Sequence, residues 1–460
     1  MAYIGNNPVT QSFISGTDYF NGTGAQTAFT LSRTVASVND IQAVVNNVVQ
    51  VPNDAYTISG TTITFTSAPS SGTQNVYVRY LSTTTQAITP SQGTVSWSTL
   101  DSNVQGDLGI SFKNKIINGN MVIDQRNAGA SVTIPATGGQ YTLDRWTAGA
   151  SQASKYSVQQ NAGSVTPPAG FTNYLGVTSL SAYSISSTDL FYIIQRIEGF
   201  NTADLNFGNA SAKTITISFW VRSSLTGTFG GTLRNDTADR FYPFSYTISS
   251  ANTWEQKSIT ITGDTTGTWV GATNGIGLAV YFSIGVGSTY SGTAGSWGST
   301  AYYSATGATS VVGTNGATFY ITGVQLEVGT QATTFTTAGG SYGAELALCQ
   351  RYCYVQGWPK GGATYNYYVL GNGFAENSTI FNGTCIFPTT MRTEPSLTSS
   401  IGDTFFTGYF TPNSNATYLD QAGQDAAIVT IEGSGGVAGK AGRFMVDNLD
   451  TCFLIWSAEL

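Results

Sequence analysis

The chain contains no histidine. Ser-His-Asp and Cys-His nucleophiles, and zinc hydrolases built on imidazole ligands, have no residues to be made from. The four cysteines are Cys349, Cys353, Cys385 and Cys452, all in the last part of the chain, so they form no disulfide framework. Cys349 and Cys353 fall four apart on a predicted helix, a spacing that suits two metal ligands. Two thiols alone do not close a tetrahedral site, so buried thiols packing as small hydrophobes are expected instead. Paired carboxylates could still cleave a glycosidic bond, but among 25 Asp plus Glu no spacing marks out a pair. The 54 glycines sit in Thr- and Ser-rich turns with no following Lys, so no phosphate-cradling loop is read. The chain is expected to have no catalytic residue, no cofactor and no enzymatic activity.

Hydrophobic residues make up 41% of the 460 positions, enough for substantial cores, and the length suggests about three domains. Charged residues make up only 9%, against about 25% in an ordinary domain. Ser, Thr, Asn, Gln and Gly fill the polar positions instead, and β-branched Thr favours pleated strands. With 18 Lys plus Arg, few cations remain to guard strand edges, which argues for closure, bulges or partner chains. The net charge of −7 and the lack of a basic run argue against nucleic acid. No apolar stretch is long enough for a membrane-spanning helix. Residues 1–8 lack a signal-peptide pattern, so synthesis in a cytoplasm without export by that route is expected.

Five segments follow from the hydrophobic pattern. Residues 1–82 read as a small β-sandwich, with strands at Phe29-Thr30-Leu31, Ile41–Val45, Tyr56-Thr57-Ile58, Ile63-Thr64-Phe65 and the alternating run Val76–Tyr80. Residues 83–112 are a linker whose short helix carries Leu100, Val104 and Leu108 in one stripe. A two-turn helix is unstable alone, so the same helix of sister chains is the expected partner; the alternative is packing on its own domain. Residues 113–335 alternate like a two-sheet jelly roll, with Ile215, Ile217, Phe219 and Val221 on one face. Alternation through Phe319 and Ile321 changes phase at Gly323 before Val324, Leu326 and Val328, which predicts a bulge. Residues 336–353 read as a helical connector presenting Leu346, Leu348, Cys349, Tyr352 and Cys353 on a broad face. Residues 354–460 return to β and are dense in Tyr and Phe. No solenoid period appears, although a β-helical polysaccharide depolymerase should show one.

These segments carry a resemblance. Tyr3-Ile4-Gly5-Asn6 with Pro8, then the sandwich through Val76-Tyr77-Val78-Arg79-Tyr80, resembles the N-terminal module of tail fibres in short-tailed and other bacteriophages. Lys115–Met121 followed by Asp144-Arg145-Trp146 resembles the opening of those fibres' jelly-roll module, which is similar to carbohydrate-binding modules. Gly323–Gly329 with Ala332, Thr333 and Phe335 resembles its closing strand. Glu345–Tyr352 resembles the connector after it, with Cys353 where an aromatic is usual. Phe387–Pro395 and Ala458-Glu459-Leu460 are similar to the last domain. The resemblance implies a homotrimer anchored by its N-terminus to a phage tail protein, through Tyr3, Ile4 and Pro8, with distal domains facing the host.

The expected fold is all-β: several β-sandwich or jelly-roll domains joined by short helical connectors in an elongated trimer. Leu100, Val104, Leu108, Leu346, Cys349, Tyr352 and Cys353 are its interface candidates. The resemblance also raises a structural calcium, for which Asn118, Asn120, Asp144 and Glu327 offer oxygen ligands, with surface capping as the alternative role. Sugar rings need aromatic faces flanked by hydroxyls and amides. Trp358, Tyr365, Tyr367, Tyr368, Tyr409, Phe410 and Tyr418 in the last domain are the candidates, with Trp269 and Trp297 in jelly-roll loops; core or interface packing is the alternative for each. The functional expectation is a virion tail fibre that recognises host surface polysaccharide or lipopolysaccharide for adsorption. A depolymerising tailspike and a purely structural tail component are the alternatives.

Overall fold

The computed structural model describes residues 16–81, 112–136, 138–357, 367–400, 404–406, 411–447 and 453–460, with backbone alone at 367–369, 400, 404–406, 411–417 and 444–447. The chain divides into two compact units, Met1–Thr99 and Leu100–Leu460. It is all-β, in several antiparallel sheets, and the only α-helix among the described residues is Tyr342–Gln350. No helix among them is long and apolar enough to cross a membrane.

In the first unit, one sheet runs in the order Thr17–Gly22, Gly72–Tyr80, Ile41–Val45, Val48–Val49, and a second in the order Ala28–Thr30, Thr62–Phe65, Tyr56–Ser59. Alternate residues of both sheets, among them Phe29, Tyr56, Ile63, Ala43, Val76 and Val78, meet in one core. The Ile41–Val45 strand turns back through Asn46 and Asn47 at φ 49° and 61°, a two-residue hairpin turn that Asn tolerates because its short side chain fits the left-handed region.

The second unit opens with the jelly roll. Its first sheet is ordered Phe241–Ile248, Gly227–Arg234, Ile276–Val286, Leu190–Glu198, Trp146–Ala150, Gly139–Tyr141. Its second is ordered Glu255–Ile261, Ile215–Ser223, Thr318–Val328, Leu175–Ser179, Tyr156–Gln160, Val132–Thr133. Ile215, Ile217, Phe219 and Val221 are fully buried between the sheets, as their alternation requires. Pairing of Ile215–Ser223 with Thr318–Val328 slips between Ser218 and Trp220, opposite Gly323 at φ 61°. This is the predicted bulge, and it lets residues on both sides of the phase change reach the same core.

The helix Tyr342–Gln350 is capped by Ser341, whose hydroxyl accepts from the Ala344 amide at 3.3 Å. It ends earlier than expected. Cys353 is not helical but starts the strand Cys353–Gln356, which pairs with Phe453–Ser457; that strand pairs on its other side with Ser396–Ser400. These three strands and a six-stranded sheet, ordered Thr404–Phe406, Ala441–Asp447, Tyr367–Ala375, Ile380–Ile386, Ala426–Ser434, Thr411–Ala422, share a core around Phe381, Met391, Val429 and Trp456.

Three interface candidates need correcting. Cys349, Tyr352 and Cys353 are 0% exposed within the single chain. Cys349 and Tyr352 pack with Ile117, Ile123 and Ala338, and Leu346 lies half-buried against the same cluster. At Cys349 and Tyr352 the helix end is covered by the opening segment of its own jelly roll, while Leu346 and Leu348 stay half-buried.

Candidate functional site

In the last domain, residues of the six-stranded sheet alternate between its core and its outward face. Phe381, Cys385, Val429 and Ile431 point inward and are buried. Their neighbours Asn382, Thr384 and Ile386, and across the ladder Ile428 and Thr430, have the opposite parity; Thr384 and Ile386 are exposed, Asn382 and Ile428 half-buried, and Thr430 is covered, at 4% exposed. Register then brings four residues into one row: Phe374 opposite Asn382, Asn382 opposite Thr430, Thr430 opposite Tyr418. Three interstrand steps separate the end strands by about 14 Å. Phe374 is 48% exposed and Tyr418 45%, and Ile386, on the same face, is 73% exposed.

The centre of the row is polar and fixed. Thr430 Oγ1 donates to Asn382 Oδ1 at 2.8 Å, and Asn382 Nδ2 donates to Glu376 Oε2 at 3.0 Å. An amide group has two N–H donors and two lone pairs, so Asn382 retains one of each among the described residues. Two exposed aromatic rings on either side of a held, half-buried amide suit a flat, hydroxylated ligand with an apolar face.

Tyr418 is therefore a predicted candidate that the structure places on an exposed face, while Phe374, which the sequence did not single out, joins it through long-range pairing. Tyr367 and Tyr368 belong to the strand Tyr367–Ala375, their side chains undescribed. Trp358, Tyr365, Tyr409 and Phe410 lie outside the described residues, as do Tyr3, Ile4 and Pro8, the Leu100, Val104 and Leu108 stripe, and Cys452.

Trp269 and Trp297 of the jelly roll pin loops instead of presenting open faces. Their rings meet edge to face at 5.6 Å, and both meet Phe207, at 4.8 and 5.7 Å. Trp269 Nε1 donates to the Thr266 carbonyl at 3.1 Å, and Trp297 Nε1 to that of Thr262 at 2.7 Å. Both rings are half-buried against the main core.

The calcium candidates separate into different networks. Buried Asn118 donates through Nδ2 to the Ile123 and Asp144 carbonyls and accepts from the Ile123 amide, which ties the opening segment to itself. Asp144 accepts from the Gln125 backbone and side chain, both at 2.6 Å. Glu327 instead pairs with Lys113 at 3.2 Å and accepts from Gln325 and Thr333. Asn120 Oδ1 is buried without a partner among the described residues. No group of three or more acidic or thiol residues among the described residues is arranged to hold a metal.

Between the jelly roll and the last domain lies a buried ionic joint. Glu459 bridges Arg126, at 2.9 Å, and Arg145. Arg145 also donates to the Arg196 carbonyl at 2.6 Å and stacks over Tyr352 at 3.5 Å. Glu198 takes both prongs of Arg351, at 2.6 and 3.0 Å, and the Tyr352 hydroxyl at 2.5 Å. Burial works to raise the Glu198 carboxyl, but these donors hold it below its usual range. Arg392 of the last domain reaches the Ala458 and Glu459 carbonyls at 2.7 and 2.6 Å.

No family model matches the chain, and no curated protein does. Among solved structures it is similar to the enzymatically active domain of tailspike protein 4 of bacteriophage CBA120, at 12% identity and TM-score 0.26, over 47% of this chain and 21% of that one. It is also similar to a family 11 carbohydrate-binding module from Clostridium thermocellum, in complex with a β-1,3-1,4-mixed-linked tetrasaccharide, at 11% identity and TM-score 0.23, over 44% of this chain and 98% of that one. The module TmCBM61, in complex with β-1,4-galactotriose, is 10% identical with TM-score 0.24, over 47% of this chain and 99% of that one. At these scores the likenesses carry no weight for function.

Proposed function

We propose that this chain is the subunit of a non-catalytic bacteriophage tail fibre that recognises host surface glycan through its last domain. The observation that carries the reading is the row Phe374, Asn382, Thr430, Tyr418, in which two exposed rings stand on either side of half-buried Asn382 and buried Thr430, with the Glu376 carboxylate holding the Asn382 amide. The ordered resemblance to phage fibres supplies the biological setting: a homotrimer in the virion, attached to a tail protein through residues 1–82 and carrying polysaccharide or lipopolysaccharide contacts at its far end. Each row is a modest site, but several copies on one fibre raise the effective concentration.

The test is Phe374→Ala with Tyr418→Ala in the full chain. The expected result is lost binding to host polysaccharide, with mass in solution unchanged. Retained binding with an intact oligomer overturns the site, and a changed mass assigns the rings to subunit packing. Release of reducing ends from the polysaccharide by the wild type overturns the non-catalytic reading.

A further inference from the structure

We propose that the outward face of the jelly roll's first sheet carries an anionic-saccharide site, in which Arg196, Arg234 and Tyr192 take a sugar unit bearing one negative group.

Parity decides which residues reach that face. Ile193, Ile197, Leu233, Leu278 and Val280 are buried in the main core between the two sheets, so Arg196, Arg234 and Ala279 point the other way. Register sets these three in one row, with Arg196 opposite Ala279 and Ala279 opposite Arg234. Two interstrand steps separate the strands that carry the arginines by roughly 10 Å. Beside the row, Ile194, Ala279 and Tyr281 form a small buried cluster of their own, with Tyr192 half-buried against it.

The two cations lack a counter-charge. Arg126, Arg145, Arg240 and Arg351 each meet a carboxylate, whereas the half-buried Arg196 and Arg234 form no ion pair among the described residues. Arg234 is held by neutral oxygens only: its Nε donates to Tyr281 Oη at 3.0 Å, and its Nη1 to the Asn235 and Asp236 carbonyls at 2.8 and 3.1 Å. The Arg196 side chain has no hydrogen-bond partner among the described residues. Glu198, two positions further along its strand, is already taken by Arg351 and Tyr352. Like charges in one row repel, and partial burial removes some of their water. An anion seated between them relieves both costs.

Tyr192 makes this a place for a sugar rather than a bare ion. Gly149 stands opposite it, and a Cβ there would lie 2.5 Å from both Tyr192 Cζ and Oη. The missing side chain thus lets the ring recline across the neighbouring strand, 5.1 Å from the Tyr281 ring. Its hydroxyl has no hydrogen-bond partner among the described residues. Burial and the Tyr281 phenol raise that hydroxyl above its usual range, while the charges of Arg196 and Arg234 both act to lower it, so both guanidiniums lie near it. A half-buried ring, a phenol and two guanidinium forks suit a uronate or a sugar phosphate, since the fork matches either anion. A metal ion meets no carboxylate here, and two cations in a chain of net charge −7 are too few for nucleic acid.

The proposal shares only its ligand class, saccharide, with the last-domain row, and the experiment separates them. Saturation-transfer NMR on the full chain would compare methyl glucuronide, glucose 6-phosphate and methyl glucoside, with inorganic phosphate as competitor. One charged sugar or both should bind the wild type about tenfold or more tightly than methyl glucoside, and less tightly as salt is raised. The preferred sugar tells carboxylate from phosphate. Arg196→Gln should weaken that binding about tenfold or more. Gly149→Ala, at a backbone conformation open to any residue, should displace the ring and weaken it too, while Phe374→Ala/Tyr418→Ala should leave it unchanged. Equal binding of charged and neutral sugars, or no binding of either charged sugar, overturns the proposal on the wild type alone. Binding unaltered in Arg196→Gln or in Gly149→Ala overturns it as well. Inorganic phosphate competing as tightly as the sugars bind would make this an ion site and overturn the saccharide assignment. Binding lost only in the double variant overturns the site and leaves the last-domain row standing.

Discussion

Glu459→Gln should loosen the joint between the jelly roll and the last domain. The carboxylate is 5% exposed, and the guanidiniums it bridges are 11% exposed at Arg126 and 2% at Arg145. Both arginines already leave a buried Nε without a partner among the described residues. The amide keeps the shape and one acceptor oxygen but removes the charge and turns N–H groups toward cations. Breaking a buried pair by removing one partner costs about 3–5 kcal/mol, because the remaining charge stays desolvated. The lower end applies here, since Arg145 keeps the Arg196 carbonyl and its stack on Tyr352. A loss of about 3 kcal/mol corresponds to a melting temperature lower by about 6–12 °C for a domain of a few hundred residues. Calorimetry of the full chain gives that shift, and hydrogen exchange should show faster exchange in Phe453–Ser457. A shift under about 1 °C, the size of a neutral surface change, would refute the joint's structural role.

The remaining predictions concern buried groups and one glycine. Burial, only partly offset by Arg126 and Gln125, pushes the Asp144 carboxyl up to about 7, so the folded state holds its proton more tightly than the unfolded chain. Its contribution is full below the ordinary carboxyl range and is lost as pH rises through about 7; Asp144→Asn should flatten stability across that window, and an unchanged slope in urea unfolding at several pH values contradicts this. Burial likewise raises Cys349 and Cys353 well above the ordinary thiol range and Cys385 to about 12, so maleimide should label none of the three until the chain is unfolded, and mass spectrometry finding native label on any of them contradicts their placement. Gly323→Ala puts a Cβ 2.5 Å from the Phe171 ring at φ 61°, which should cost about 1–3 kcal/mol; an unshifted urea midpoint counts against the bulge.

Alternation made the jelly roll readable because the period of two is set by the backbone itself. Ile215, Ile217, Phe219 and Val221 could face one way only, and Gly323 announced the single place where the parity changed. The end of the connector was less readable. Cys349, Tyr352 and Cys353 continue a helical period, and no Gly or Pro between Gln350 and Cys353 marks where pairing with Phe453–Ser457 takes over. Nor does an apolar stripe say what covers it: the side chains expected to meet a sister chain were taken up by Ile117 and Ile123 of the same chain. Phe374 was missed for a related reason. Its own strand gives its parity, but its place beside Asn382, and two strands from Tyr418's partner Thr430, depends on pairings between distant segments.

The sparse charges also acquire a meaning that composition alone did not reveal. Low charge suggested a surface solvated by hydroxyls and amides, yet Arg126, Arg145, Glu198, Arg351 and Glu459 are withdrawn into one place. They connect the jelly roll, the end of the helix and the last strand, where a hydrophobic seam of similar size would be equally stable or more so. What charged, bidentate pairs add over such a seam is directional geometry, because a guanidinium fork fixes the angle of its carboxylate. A fixed angle matters if several copies of the Phe374–Tyr418 row engage one surface together, since each further contact gains effective concentration only when the spacing of the sites is held. On that argument, Glu459→Gln should reduce binding of the full chain to an immobilised host polysaccharide, even at temperatures where both domains remain folded, while leaving binding of single pyranosides unchanged. Equal loss of both would place the effect in the sites themselves rather than in their relative orientation.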